Sequence, residues 1–464
     1  MTDFVNYLSW KLGGAAALAA GAVIVCGLIC LGVYLLLRGR HGHGSQFPWS
    51  RCLCLTALCG YLAVLFYATL LRNDGGFSQT NFHLFRAWRE AWNSFSAKNW
   101  LNVLLNVALF LPLGVLLPLL SRRFRRWYWT IPLGLLISAA IETVQYTLAL
   151  GLADVDDVFC NTLGTALGYC LLMGGLALLR RADRRYGWAM TVPAVFCAGL
   201  AAAGLIYTLQ PYGNLSLAAS YRAAIGSCGW ELAWEPDASP CTAPVYRAEG
   251  LDRTEADAFA RTFFADVGGE LQDSTYYDDS AYYADHRSPG HFLFVNNQDG
   301  GFTYSAMAAK DLPWAEHPEA SVRTALSQCG ISIPDHAAFA YEGDGWHSFG
   351  LKQAVTETGM YDGQLRCRMN EAGQIGEIEQ FLHHYAACGE VSILSEEEAL
   401  TKLRSGWFQE PYSFSVNPPA VLQVHGVDLE YRIDTKGFYQ PVYVFRVSVD
   451  GAPMPGGLLI PALS

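Results

Sequence analysis

Acidic residues are scarce in the first 209 positions, with eight Asp+Glu against sixteen Lys+Arg, and charged residues make up only 16% of the 464-residue chain. Long apolar runs divided by short basic clusters fill that stretch, which excludes an ordinary soluble domain there. The scarcity ends near Gln210. The remainder holds 34 acids against 15 bases, so a net charge of +8 gives way to −19. An acidic balance of that size excludes nucleic acid or anionic lipid as the partner of the second part. Catalytic signatures are missing too. His286, His291, Cys329 and the pair His383-His384 match neither a nucleophile nor a zinc spacing. The run Q-D-S-T-Y-Y-D-D-S-A-Y-Y-A-D at 272–285 lacks the Gly and Glu of a calcium loop and reads as a solvated acidic loop. No catalytic residue, cofactor or metal is expected. Of the thirteen cysteines, eight lie in the apolar part, where they read as small buried hydrophobes. Five follow, an odd number, among which Cys228 and Cys241 are spaced to close a short loop under oxidising conditions.

What is present is membrane-spanning sequence. Apolar segments at about 13–37, 52–71, 101–120, 128–150, 158–179 and 188–209 are each long enough to cross a bilayer. The first is too long for a signal-peptide core, and Arg38 and Arg40 follow it rather than precede it, so it reads as a retained helix. Orientation follows from the basic residues. Loops 38–51, 121–127 and 180–187 together hold 11 Arg and are expected on the cytoplasmic side, which places the N-terminus and everything after Leu209 outside. The expected fold is an α-helical integral membrane bundle of six transmembrane helices followed by an α+β extracytoplasmic domain. The divisions are 1–50, 51–180, 181–210 and 211–464, with the cell membrane as location.

One apolar stretch carries an unusual polar load. Between Ile141 and Tyr169 stand Glu142, Gln145, Asp154, Asp156, Asp157 and Asn161. Nine Leu, Ile and Val residues between Ile131 and Leu150 favour insertion by about 3–5 kcal/mol, and one buried acid costs roughly 2.5–3.5 kcal/mol. Glu142 therefore needs a partner or a wet cavity. Spacing puts Ser138, Glu142 and Gln145 on one helix face, Asn99, Asn102 and Asn106 on another, and Asn161, Thr165 and Gly168 on a third. These faces are expected to meet, with small residues permitting close approach. Pro112 and Gly114 are expected to kink or loosen the helix that carries Asn106. Asp154 is placed to cap the helix that follows, with Asp157 in its first turn. The alternative is an acidic cluster above Glu142 that binds a cation or takes up protons. The aromatic loop 73–100 reads as an interfacial belt or amphipathic re-entrant segment, the other reading being a platform for a lipid head group.

The set N-V-A-L-F-L-P-L-G-V-L-L-P, I-E-T-V-Q and D-V-D-D-V-F-C-N-T-L-G-T-A-L-G-Y resembles the VanZ-like family, bacterial membrane proteins named for a teicoplanin-resistance accessory protein. The resemblance covers about 55–180. It places Arg72, Asn106, Pro112, Gly114, Glu142, Gln145, Asp154, Asp157, Asn161, Gly164 and Gly168 on the family pattern. Many members carry an Arg after the Gln step, where this chain has A-L-G-L; Arg72 is the substitute cation. The resemblance implies a role at the cell envelope.

In the second part three helices are signalled: from Thr254 with Asp257, after Pro318, and from the capping box Ser395/Glu398. Strands are expected at 291–296, 365–370, 428–434 and 442–449. Residues 360–450 resemble PepSY or YycI-like extracytoplasmic modules, with a second copy expected in 250–350. Two functions follow. The favoured one is a non-enzymatic envelope protein that binds a membrane lipid, a lipid-linked precursor or a peptidoglycan component and lowers glycopeptide susceptibility, with an envelope protein as partner of the second part. The other is an enzyme or transporter acting on a polyprenyl or glycolipid substrate through Glu142 and the acids at 154–157.

Overall fold

The computed structural model describes residues 20–29, 49–71, 77–179, 183–223, 225, 228–248, 250–277, 280–286, 290–411, 414 and 418–463. Its contacts divide the chain into Met1–Pro211 and Tyr212–Ser464.

The first unit is helical. A short apolar helix α1 (Ala20–Ile29) is followed by α2 (Trp49–Phe66), which ends in a π-turn at Tyr67–Leu71. Then come α3 (Arg86–Ser94), α4 (Ala97–Leu120), α5 (Trp127–Thr147), α6 (Val155–Leu178) and α7 (Thr191–Leu209). Among the described residues five helices, α2 and α4–α7, are long and apolar enough to cross a membrane. The expected first span, 13–37, is described only over α1, and its remainder lies outside the described residues. The described structure therefore carries five spans where six are expected.

Backbone proximity organises this bundle. A Cβ added to Gly164 would sit 2.0 Å from the Val107 carbonyl oxygen, and one on Gly168 would sit 2.1 Å from that of Leu111. From the other side, a Cβ on Gly114 would meet the Thr165 carbonyl at 2.0 Å. Only hydrogen fits, so α4 and α6 touch backbone to backbone, the small-residue packing that replaces the hydrophobic drive where lipid surrounds the helices. Gly134 of α5 closes over the Thr165 side chain in the same way, at 2.4 Å. Helix α4 continues through Pro112 and Pro118, and Gly114 lies at its contact with α6.

Two further elements lie where the sequence suggests only loop. Strand β1 (Phe77–Asn81) pairs in parallel with β2 (Leu150–Asp154), bringing Asn81 opposite Asp154. Helix α3 packs Ala87, Trp88 and Ala91 against Val103, Val107, Cys160 and Leu167. The aromatic segment thus contains a helix docked on α4 and α6.

The second unit is α+β. Helix α8 (Arg253–Asp266) precedes strands β5 (Asp273–Tyr276), β6 (Ser280–Asp285), β7 (His291–Asn296) and β8 (Phe302–Ala306), after β3 (Gly229–Leu232) and β4 (Cys241–Ala248). Helix α9 (Glu319–Gln328) precedes β9 (Ala338–Gly343), β10 (Trp346–Val355), β11 (Gly359–Met369) and β12 (Ile375–Ile393). Helix α10 (Glu396–Arg404) precedes β13 (Val421–Ile433), β14 (Phe438–Val449), β15 (Ala452–Pro453) and β16 (Leu458–Pro461). The pattern of a helix followed by antiparallel strands thus occurs three times. The first two sets join through β8 and β12, giving the order β5-β6-β7-β8-β12-β11-β10-β9. Helices α8 and α9 pack on one face of this sheet, where Phe263, Phe264, Val322 and Leu326 meet Tyr283, Leu293, Tyr304 and Ile378.

Local signals held well here. Ser395 and Glu398 form the expected capping box. The helix placed at Thr254 starts one residue earlier, because Asp252 and Glu255 make a capping box of their own. Cys228 and Cys241 are separate thiols, not a disulfide. The acidic run 272–285 is a hairpin of β5 and β6 instead of a solvated loop, and its tip, Asp278 and Asp279, lies outside the described residues.

Candidate functional site

Asp154 ends β2 and caps α6. Its Oδ1 accepts the Asp156 N–H at 2.8 Å and the Asn81 amide at 2.9 Å. Its own N–H donates to the Glu142 carboxylate at 3.0 Å. Glu142, buried on α5, thereby gains the donor its burial demands, since an unpartnered buried acid is far costlier than a bonded one. Burial pushes the Asp154 carboxyl above its ordinary range, while the Asn81 amide, the Asp156 N–H and the charge of Arg86 pull it back.

Asp156 points elsewhere. It is wholly buried, and its two oxygens accept the N–H groups of Phe85 at 2.5 Å and Ala87 at 2.6 Å. These are orphan donors at the start of α3, whose N-cap residue Phe85 offers no side-chain acceptor. Asp156 therefore caps a helix about seventy positions upstream of it, and the negative charge suits that helix end. Asp157, one residue on, accepts from the Asn106 amide of α4. Asn161 donates to Ser138 of α5 at 2.9 Å, and its own carbonyl oxygen is buried without a partner. Gln145 leaves this group and donates to the Thr69 carbonyl in the π-turn at 2.8 Å. Arg72 lies outside the described residues.

The three polar faces of α4, α5 and α6 meet, and Glu142, Asp154, Asp156 and Asp157 lie within electrostatic reach of one another. Each accepts N–H donors of its own from a different element. Among the described residues no group of three or more His, Cys, Asp or Glu is arranged to hold a metal. Open space lies beside Asp157. A cleft of about 80 Å³ runs between α3, α4 and α6, and its polar lining is Glu90, Asn99, Asn102, Asn106 and Asp157. Asn99 is oriented by Ser94 Oγ at 2.9 Å, and Glu90 pairs with Arg86 at 2.7 Å. On the same helices Trp88 packs edge-on against Trp100, and Phe95 stacks on Tyr207 of α7. Carboxylates and primary amides offer acceptors and donors together, so the cleft suits hydroxyl or ammonium groups.

Sequence reasoning missed Asn81 and Glu90. No local signal marks either, because Asn81 meets Asp154 only through the register of the β1–β2 pair, and Glu90 reaches the cleft only once α3 docks.

Residues 55–180 match the VanZ/LLP1 family model. No curated protein matches the chain. Among solved structures the chain is similar to the Bacillus megaterium YpeB C-terminal domain, at 11% identity over 47% of this chain and 100% of that one, with a TM-score of 0.22. The family match and the five apolar helices together describe a membrane protein with a VanZ-like domain at 55–180.

Proposed function

We propose that this is a non-enzymatic envelope protein whose VanZ-like domain holds the polar head of a membrane lipid or lipid-linked envelope precursor. The observation that carries the reading is the cleft beside Asp157, lined by Glu90, three Asn side chains and Asp157 and set among apolar helices. Its volume accommodates a few water-sized groups, not a whole sugar, so the ligand inserts an ammonium or hydroxyl-bearing fragment. Binding of this kind sequesters or displays an envelope component and lowers teicoplanin susceptibility. The basic loops 121–127 and 180–187 face the cytoplasm, and the N-terminus and residues 212–464 lie outside. An envelope protein engages that second unit.

The test is mass spectrometry of lipids that copurify with the full chain and with Asn102→Leu, which alters the cleft without removing a partner of an acid. A lipid enriched in wild type and depleted in the variant is expected. Equal lipid profiles would overturn the reading. In a host expressing each form at equal membrane level, the teicoplanin inhibitory concentration rises with wild type and returns to the vector level with Asn102→Leu. Cysteines introduced at 122–126 remain unlabelled in intact cells, and those at 273–277 are labelled.

A further inference from the structure

Among the described residues of the second unit, helices cover one face of the sheet β5-β6-β7-β8-β12-β11-β10-β9. That face buries Tyr283, Leu293, Tyr304, Ile378, Cys367 and His347 under α8 and α9. The alternate positions form two registered rows on the other side. Pairing aligns Tyr282, Phe294, Thr303, Glu379 and Arg366 in one row. It aligns Phe292, Ser305, Glu377, Arg368 and Trp346 in the next. An uncovered face of an antiparallel sheet ordinarily carries small polar and charged residues. Here four large aromatic rings stand on it, Phe294 at 41% exposure, around a depression of about 300 Å³.

The charged members are held in place. Arg366 bonds Glu379 at 2.8 Å and Glu342 at 2.9 Å, Lys310 bonds Glu377 at 3.2 Å, and Arg368 bonds Asp344. Arg366 also lies over the Trp346 ring at 4.5 Å, with Arg368 farther off at 5.8 Å. Acids and bases nearly cancel, so the surface selects neither an anion nor a cation. It offers fixed planar carboxylates and guanidinium groups, two hydroxyls and electron-rich ring faces.

That combination suits one ligand class. A sugar has apolar C–H patches that lie on ring faces, whose negative quadrupole attracts polarised hydrogens. Its hydroxyls bond simultaneously to carboxylates and guanidinium groups already locked in position, so little ordering cost remains at binding. An extended peptide would need an unpaired strand edge for its main chain, and the strands that carry most of these residues are interior to the sheet. An amphipathic helix would need an apolar groove, and these rows are half polar. Each row crosses five strands spaced about 4.8 Å apart, roughly 19 Å, and the two rows together reach across six. That length matches several sugar units in an extended chain.

We propose that this face, built from β6, β7, β8, β12, β11 and β10, binds an extended, uncharged, β-linked oligosaccharide of the cell-wall amino-sugar type. The proposal is independent of the cleft in the VanZ-like domain. The full chain, purified in lauryldimethylamine oxide so that no sugar-headed detergent competes, is titrated calorimetrically with chitotetraose and with maltotetraose. Chitotetraose binds saturably, and maltotetraose at least ten-fold more weakly, since its α-linked chain coils away from a flat row. Phe294→Ala and Trp346→Ala each weaken chitotetraose at least ten-fold, while Ile433→Ala, on β13, leaves it unchanged. Unfolding temperature is followed for every variant, and the exposed Phe294 provides a substitution the fold tolerates. Absence of saturable binding, equal binding of both sugars, or equal affinity in wild type and Phe294→Ala would each overturn the proposal. So would a Phe294→Ala variant whose only change is in oligomeric state, which would make the face a protein interface.

Discussion

Glu142, near the C-terminal end of the apolar helix α5, accepts the backbone N–H of Asp154 at 3.0 Å, twelve positions downstream. The acid thus holds the entry of β2 into α6 against α5. Replacement by Gln keeps an acceptor oxygen, so Glu142→Gln folds within about 1 kcal/mol of wild type. Glu142→Ala strands a buried N–H and costs about 1–3 kcal/mol. Thermal unfolding in detergent reads both. Teicoplanin susceptibility separates charge from geometry: it is expected to return to the vector level with Glu142→Gln. Full activity of that variant would make Glu142 a structural residue.

Asp156 makes a prediction of a different kind, because its effect appears on another helix. An Asn at this position accepts one of the two N–H groups at Phe85 and Ala87, not both, and carries no charge for the helix end. Asp156→Asn is expected to loosen α3 by about 1–3 kcal/mol. Hydrogen exchange should rise over residues 86–94 and stay unchanged in α6. Uniform exchange across both helices would contradict the capping role.

Gly164 and Gly175 offer a matched pair on one helix. At Gly164 a methyl group would sit 2.0 Å from a backbone oxygen, and at Gly175 it would meet nothing within 4 Å. Gly164→Ala must push α4 from α6 and is expected to cost about 1–3 kcal/mol or more. Gly175→Ala is expected to stabilise by about 0.5–1 kcal/mol, the ordinary gain from replacing a mid-helix Gly. Unfolding temperatures moving in the same direction would refute the close-packed contact.

His347 gives the second unit a pH response. It is fully buried, its Nε2 accepts the His317 N–H at 2.9 Å, and burial, then the charge of His317, hold its pKa below the usual value near 6.5. The unfolded chain therefore binds the proton more readily than the folded one. Stability on this account is fully present above about pH 6.5 and falls as the pH drops below it. Unfolding of the full chain followed between pH 7.5 and 5 should show a declining midpoint for the second unit. His347→Gln, which keeps an acceptor, should flatten that decline. An unchanged slope would remove His347 as its source.

The apolar helices α2 and α4–α7 were legible because hydropathy over twenty residues is a local property, and a bilayer leaves the backbone no alternative to bonding within the helix. Capping was legible for the same reason. Ser395 and Glu398 stand three positions apart and satisfy donors within one turn; Asp252 and Glu255 do the same, although the sequence reading placed that helix start at Thr254. Asp154 fits this group, as the cap of α6 with Asp157 in its first turn.

Partners across long separations were not legible. Asp154, Asp156 and Asp157 stand within four positions and resemble one acidic cluster in the sequence. Successive residues around a helix start point about 100° apart, so in the fold Asp154 turns to β1, Asp156 to α3 and Asp157 to α4. Which element waits in each direction depends on the parallel register of β1 with β2 and on glycine contacts between α4 and α6. The second unit repeats the lesson. Strand alternation showed that 291–296 and 365–370 each have two unlike faces. Only the pairing of β8 with β12 placed Phe292, Ser305, Glu377, Arg368 and Trp346 in one line. Register is decided by which buried face the helices cover, and that is settled by the assembled sheet, not by any strand within it.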